Sequence, residues 1–134
     1  MAPDPLHEWH RIAATGDAKA IPALLAEDVT FHSPVVHTPQ HGRTVTAGYL
    51  GAALRVFGNE SFRYVRELRG ERCAVLEFEV AIDGIHVNGV DMIAWNDAGL
   101  IVDFKVMLRP LKAVNLIHAM MAAALGLRGP GARP

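Results

Sequence analysis

The sequence has one cysteine, no excess of either charge, and no apolar run approaching the roughly 18 residues of a membrane span. Each shortage excludes something. A lone thiol forms no intramolecular disulfide, and Cys73 lies in an apolar run where a buried, inert thiol is expected, so nothing calls for an oxidising compartment. Thirteen Lys and Arg against 14 Asp and Glu leave a net charge of -1. That balance argues against a nucleic-acid partner, which needs a basic footprint. Arg63, Arg66, Arg69 and Arg72 do cluster, but Glu60, Glu67 and Glu71 are interleaved with them in the pattern of a solvated strand surface. The start of the chain, with Asp4, His7 and Glu8, lacks the basic opening and apolar core of a signal peptide. The expected location is the cytoplasm, away from membranes.

What is present is enough for one core. The chain has 134 residues, 51% hydrophobic and 20% charged, which places it among globular domains and far from disorder. No internal repeat or linker divides it. One domain over residues 1–125 is expected, followed by a mobile tail, 126–134, without periodicity.

Leu6, Trp9, Ile12 and Ala13 recur at helical spacing, and Gly16 stops that helix. Asp17 is placed to cap a short second one carrying Ile21, Leu24 and Leu25. Val29 to Phe31 is β-prone, and Pro34 and Pro39 make the following stretch an irregular loop. Thr44 can cap a third helix bearing Val45, Tyr49, Ala53, Leu54 and Phe57, closed by Gly58-Asn59. The period then changes to that of strands: Phe62 to Leu68, Cys73 to Ile82, His86 to Trp95 and Leu100 to Leu108. In the second, Leu76, Phe78, Val80 and Ile82 share one parity and Glu77 and Glu79 the other, so one face is buried. Asp83-Gly84 is a hairpin signal. These strands form an antiparallel meander, and a last helix after Pro110 carries Leu111, Val114, Ile117, His118, Met121 and Leu125 on its apolar stripe. Helices first and a meander afterwards predict an α+β domain with the helices on one side of a curved sheet.

From Leu6 to Leu108, this order resembles the cone-shaped nuclear-transport-factor-two-like (cystatin-like) superfamily, and within it the SnoaL-like and ketosteroid isomerase branches. The phrases that carry the resemblance are Thr15-Gly16-Asp17, the run Ala26-Glu27-Asp28-Val29-Thr30-Phe31-His32-Ser33-Pro34, Gly42, and the run from Val90-Asp91 to Ala98-Gly99. The resemblance implies an apolar pocket on the concave side of the sheet and a homodimer formed through its outer face. It leaves the reaction open, because this superfamily holds enzymes, carriers and scaffolds.

In the isomerase branch an acid on the penultimate strand stays neutral and donates a hydrogen bond to a developing oxyanion, its pKa raised by an apolar site. The resemblance places Asp91 there. Parity points the same way, because Asp91, Ile93 and Trp95 share one strand face and a buried, unpaired carboxylate costs several kcal/mol. The family's second oxyanion donor, a tyrosine on helix one, falls on Trp9, whose indole N–H can donate but cannot exchange a proton as a phenol can. The branch's catalytic base, an aspartate before a proline, is Ser33 here. A serine hydroxyl is no base near neutral pH, so steroid isomerisation of the known kind is not expected.

In the epoxide hydrolase branch an arginine lies two residues before the strand acid and a second acid lies on the last strand. Those positions are Gly89 and Val106 here, while Asp103 has the outward parity. Metal binding is not expected, because His32, His37 and His41 lack the convergence of a metal site. No cofactor is implied. His118 reads as a packing histidine.

The expected site has Asp91 and Trp9 as chemical groups. His10, Ser33, Val35, Phe57, Phe78, Val80, Ile93, Trp95, Phe104, Val106 and Leu108 form the wall around a small hydrophobic molecule. Proton-transfer chemistry of isomerase or cyclase type at Asp91 and non-catalytic binding or carriage both fit, as does a dimeric interaction module with a filled core. A second titratable group across from Asp91 would separate the enzyme from the carrier.

Overall fold

The computed structural model describes residues 4–126. Helix α1, Leu6–Thr15, turns Leu6, Trp9 and Ile12 into the core and ends at Gly16, whose φ of 75° closes the last turn. Two single 3-10 turns, Ala18–Ala20 and Pro22–Leu24, follow. They replace the short capped helix expected there, because Pro22 cannot donate to a helical ladder and Asp17 makes no cap hydrogen bond, pairing instead with Arg11. Strand β1 (Leu25–His32) leads through a loop to the two-residue β2 (Gln40–His41), and α2 (Arg43–Phe57) starts from Gly42 rather than Thr44. Strands β3 (Arg63–Arg69), β4 (Cys73–Ile82), β5 (Ile85–Trp95) and β6 (Ile101–Arg109) make the meander, and α3 (Leu111–Ala124) closes the described chain. The tail expected at 126–134 lies outside the described residues from 127 onwards.

The sheet runs β2-β1-β6-β5-β4-β3. It is mixed, not purely antiparallel, because β1 lies parallel to β6. The α2 crossover returns the chain to the far edge before the meander begins, so β1 and β6 meet in the same direction. Within the meander the hairpin turn is as expected: Asp83 and Gly84 both have positive φ and join Ile82 to Ile85. The β5–β6 register pairs Asp91 with Val106 and Ile93 with Phe104, which stacks the inward rows.

One core of buried side chains unites α1, α2, α3 and the inner sheet face. Two expectations about single residues fail here. Cys73 is exposed, because it shares the outward parity of Val75 and Glu77 while Ala74 and Leu76 turn inward. His118 is exposed too, one residue beyond Ile117 on a helix whose buried positions are Ala113, Ile117 and Met121. Helix α3 packs against α2, β5 and β6, and none of its residues lines the pocket described below. The arginine-rich strand is solvated as expected, with Arg63 on Glu79, Arg66 on Glu77 and Arg69 on Glu67.

Candidate functional site

Between α1, α2 and the inner sheet face lies a pocket of about 60 Å³ walled mainly by Phe31, Phe57, Phe62, Phe78, Phe104 and Val106. Its polar wall is a chain of three side chains. The Trp9 indole Nε1–H donates to the Tyr64 hydroxyl oxygen at 2.9 Å, and the Tyr64 hydroxyl donates to Asp91 Oδ2 at 2.5 Å. An indole N–H can only donate, so the chain has one direction, and the phenol proton points at the carboxyl. Among the described residues no protein group bonds Oδ1, the other carboxyl oxygen, while Asp91 itself is part of the pocket wall.

Burial without a cation raises the Asp91 pKa from 3.8 to about 7, against the opposing pull of the Tyr64 hydrogen bond. Tyr64 is half-buried as a residue, but its hydroxyl end is enclosed. Burial, then the adjacent Asp91 charge, push its phenol well above the ordinary value. Near neutral pH the phenol therefore stays protonated, and the group that titrates is Asp91. With Oδ2 occupied by the Tyr64 proton, a proton on Asp91 belongs on Oδ1. The carboxyl then offers the pocket a donor when neutral and an acceptor when ionised.

The structure brings Trp9, Asp91, Phe57, Phe78, Phe104 and Val106 together around this space. His10 stands outside it, edge-on to Tyr64 with 5.2 Å between ring centroids and 2.8 Å from Glu67, on a larger open chamber that shares Tyr64. Other expected wall residues are elsewhere. Val80, Ile93 and Trp95 are on the inner face but buried in the continuous core, and Leu108 packs at its margin. The concave row is longer than the pocket, so only its middle meets open space. Ser33 and Val35 do not line the pocket; Ser33 Oγ accepts the Val35 backbone N–H in a local turn, 3.1 Å away. His32 bonds Asp103 and His41 lies beside Thr30 Oγ1. Among the described residues no three His, Cys, Asp or Glu gather as metal ligands.

At Gly89 there is no room for a side chain, because a Cβ would stand 2.5 Å from the Phe78 ring and 2.7 Å from Leu108. An arginine two residues before Asp91 is thus sterically excluded. Asp103, opposite Ala94 and off the Phe104–Val106 row, stays outside the pocket. Tyr64 is the residue the sequence reading missed. Its signal was the spacing Phe62-x-Tyr64, one aromatic residue just before β3 and one of the same parity inside a strand otherwise rich in charge.

The family model for the SnoaL-like domain matches residues 6–104. A steroid delta-isomerase from Pseudomonas aeruginosa is 38% identical, with 90% of this chain and 88% of that chain covered at a TM-score of 0.86. An uncharacterised protein with a cystatin-like fold from Silicibacter pomeroyi DSS-3 is also 38% identical, covering 88% and 82% at 0.82. SalBIII, an epoxide hydrolase/cyclase-like enzyme in pyran ring formation in the polyether salinomycin, is 20% identical, covering 78% and 87% at 0.62, and shares the fold. No curated protein matches the chain.

Proposed function

The chain belongs to the SnoaL-like domain family, and on that premise we propose that it binds a small, mostly apolar molecule carrying a carbonyl or hydroxyl oxygen and transfers a proton on it through Asp91. The observation that carries this reading is the buried Asp91 carboxyl, held at one oxygen by Tyr64 and without a partner at the other. A group with a pKa of about 7 has both protonation states available at neutral pH, the condition for general acid–base work. The lining of the inner pocket contains no cation, so an anionic head is disfavoured there. Isomerase- or cyclase-type chemistry is the class proposed. Steroid isomerisation by the two-acid route is not, because the base position is Ser33 and Ser33 is not on the pocket wall.

The test is solvent exchange on a small enolisable ketone, cyclohexanone, followed by proton NMR in heavy water. The protein is expected to speed deuterium incorporation next to the carbonyl, with the rate rising through pH 7 and falling at least 100-fold in Asp91→Asn. One observation favours a second reading, carriage without turnover: apart from Tyr64, bonded to Asp91 itself, the pocket wall has no other titratable side chain. Binding with no exchange at any pH is the result expected of a carrier, and it removes the catalytic reading.

We also propose a homodimer through the outer sheet face. Leu68, Val75 and Met92 lie side by side across β3, β4 and β5, and Leu68 and Met107 are 60% and 50% exposed. Sedimentation at low micromolar concentration is expected to report a dimer, and a Leu68→Glu, Met92→Glu variant a monomer. A monomeric parent protein would remove this interface. Among the described residues no helix is long and apolar enough to cross a membrane.

A further inference from the structure

Two spaces adjoin at the Asp91 site, and they differ in size and chemistry. The inner one, about 60 Å³, is less than half the roughly 150 Å³ of an apolar cavity that takes up benzene. The outer one is an open chamber of about 760 Å³ edged by polar groups, among them His10, Thr15, Glu60 and Arg63. Leu54, Phe62 and Tyr64 line both, together with Ala13 and Gly58, so these residues are the partition. The inner space is not sealed, but it is too small for a ring-sized molecule, which fits against Asp91 only if side chains lining that space move.

The backbone of the partition is held. Asn59 Nδ2 donates to Ala81 O at 2.9 Å, the Ala81 N–H donates to Ser61 Oγ at 2.9 Å, and the Ser61 N–H donates to Asn59 Oδ1 at 2.8 Å. The turn between α2 and β3 is thereby pinned to β4. What is left to move is side chains. Tyr64 is tied by its hydroxyl to Trp9 and Asp91, whereas Phe62 has only ring contacts, stacked on Phe78 at 5.3 Å and edge-on to Tyr64 at 5.2 Å. Phe62 and Leu54 are half-buried, and they are the large apolar side chains lining both spaces that no hydrogen bond holds.

From this arrangement we propose that Phe62, with Leu54, is a side-chain gate that sets ligand size. The ligand is an elongated molecule whose oxygen-bearing apolar head passes the gate to Asp91 while a polar remainder stays in the outer chamber beside His10. This rests on the reading of Asp91 as the polar anchor, and it adds the division of the ligand into two parts and the residues that separate them.

Phenol and its hydroxyethyl derivative tyrosol are suitable probes, titrated into the full chain with the Trp9 indole NMR signal as the reporter of head-group arrival. Phe62→Ala and Leu54→Ala are each expected to strengthen phenol binding about fivefold or more. Phe62→Leu, which keeps an apolar side chain should the alanine variant fold poorly, is expected to do so by less. Tyrosol is expected to bind the parent protein more tightly than phenol, an advantage lost in His10→Ala. Phenol affinity unchanged in both gate variants overturns the gate, and equal binding of the two probes overturns the outer subsite. If the gate variants gain affinity while Asp91→Asn binds as the parent does, the anchor reading fails and the gate stands. If Asp91→Asn weakens binding while the gate variants change nothing, the anchor stands and the gate fails.

Discussion

Asp91→Asn is expected to be more stable than the parent protein at pH 8 and close to it at pH 4. The folded carboxyl has a pKa of about 7 against an ordinary 3.8, so between those values the folded chain keeps a proton that the unfolded chain has released. Stability then falls as pH rises through that window, by about 1.4 kcal/mol per pH unit for one such group. The stabilisation from the neutral acid is fully present below pH 4 and is lost as pH passes 7. Asparagine does not titrate and still offers Tyr64 an acceptor oxygen, so the variant lacks this slope. Urea unfolding at a series of pH values is expected to show the parent losing about 2–4 kcal/mol relative to the variant between pH 4 and pH 8. Parallel curves would mean that the carboxyl ionises in its ordinary range, and with that the neutral-pH acid–base role would go. The same substitution is expected to remove proton exchange, so stability gained and activity lost would mark a strained group kept for its chemistry.

Phe104→Ala is expected to cost about 3–5 kcal/mol, the range for truncating a buried phenylalanine, and so to remove much of the roughly 5–15 kcal/mol that holds a domain of this kind together. Phe104 is 1% exposed and sits edge-on to Trp9 with ring centroids 5.1 Å apart, tilted against Phe31 at 6.3 Å. Its ring is therefore one of the contacts that hold Trp9 where it donates to Tyr64. Urea unfolding is expected to show a midpoint lowered by at least about 1 M, and the Trp9 indole signal is expected to shift even under conditions where the variant is folded. A loss below 1 kcal/mol would show that neighbouring side chains close the gap, and that the pocket wall is not held by this ring.

Local patterns were legible because each is written in adjacent residues. The parity of Leu76, Phe78, Val80 and Ile82 against Glu77 and Glu79 marks β4 without reference to anything distant. Asp83-Gly84 marks its turn, and Leu6, Trp9 and Ile12 mark the buried face of α1. Parity likewise placed Asp91 inward and Asp103 off the inner row. Where a local pattern was ambiguous, the reading slipped. Cys73 begins a strand and His118 borders a helical stripe, and at both places one step of phase separates core from solvent.

The sequence by itself determined the class of the fold, the family and the inward placement of Asp91, since these depend on period and order. Only the tertiary structure decided which inward residues meet open space, because the concave row spans four strands and the helices fill all but its middle. It alone decided the partner of Asp91. Tyr64 is 27 residues away along the chain, on an edge strand that charge composition marks as surface. Its hydroxyl reaches the carboxyl only once β3, β4 and β5 are paired. A pairing between strands leaves no periodic trace in either one, which is why the mostly apolar composition read at the outset was silent about the hydrogen-bonded chain at its centre.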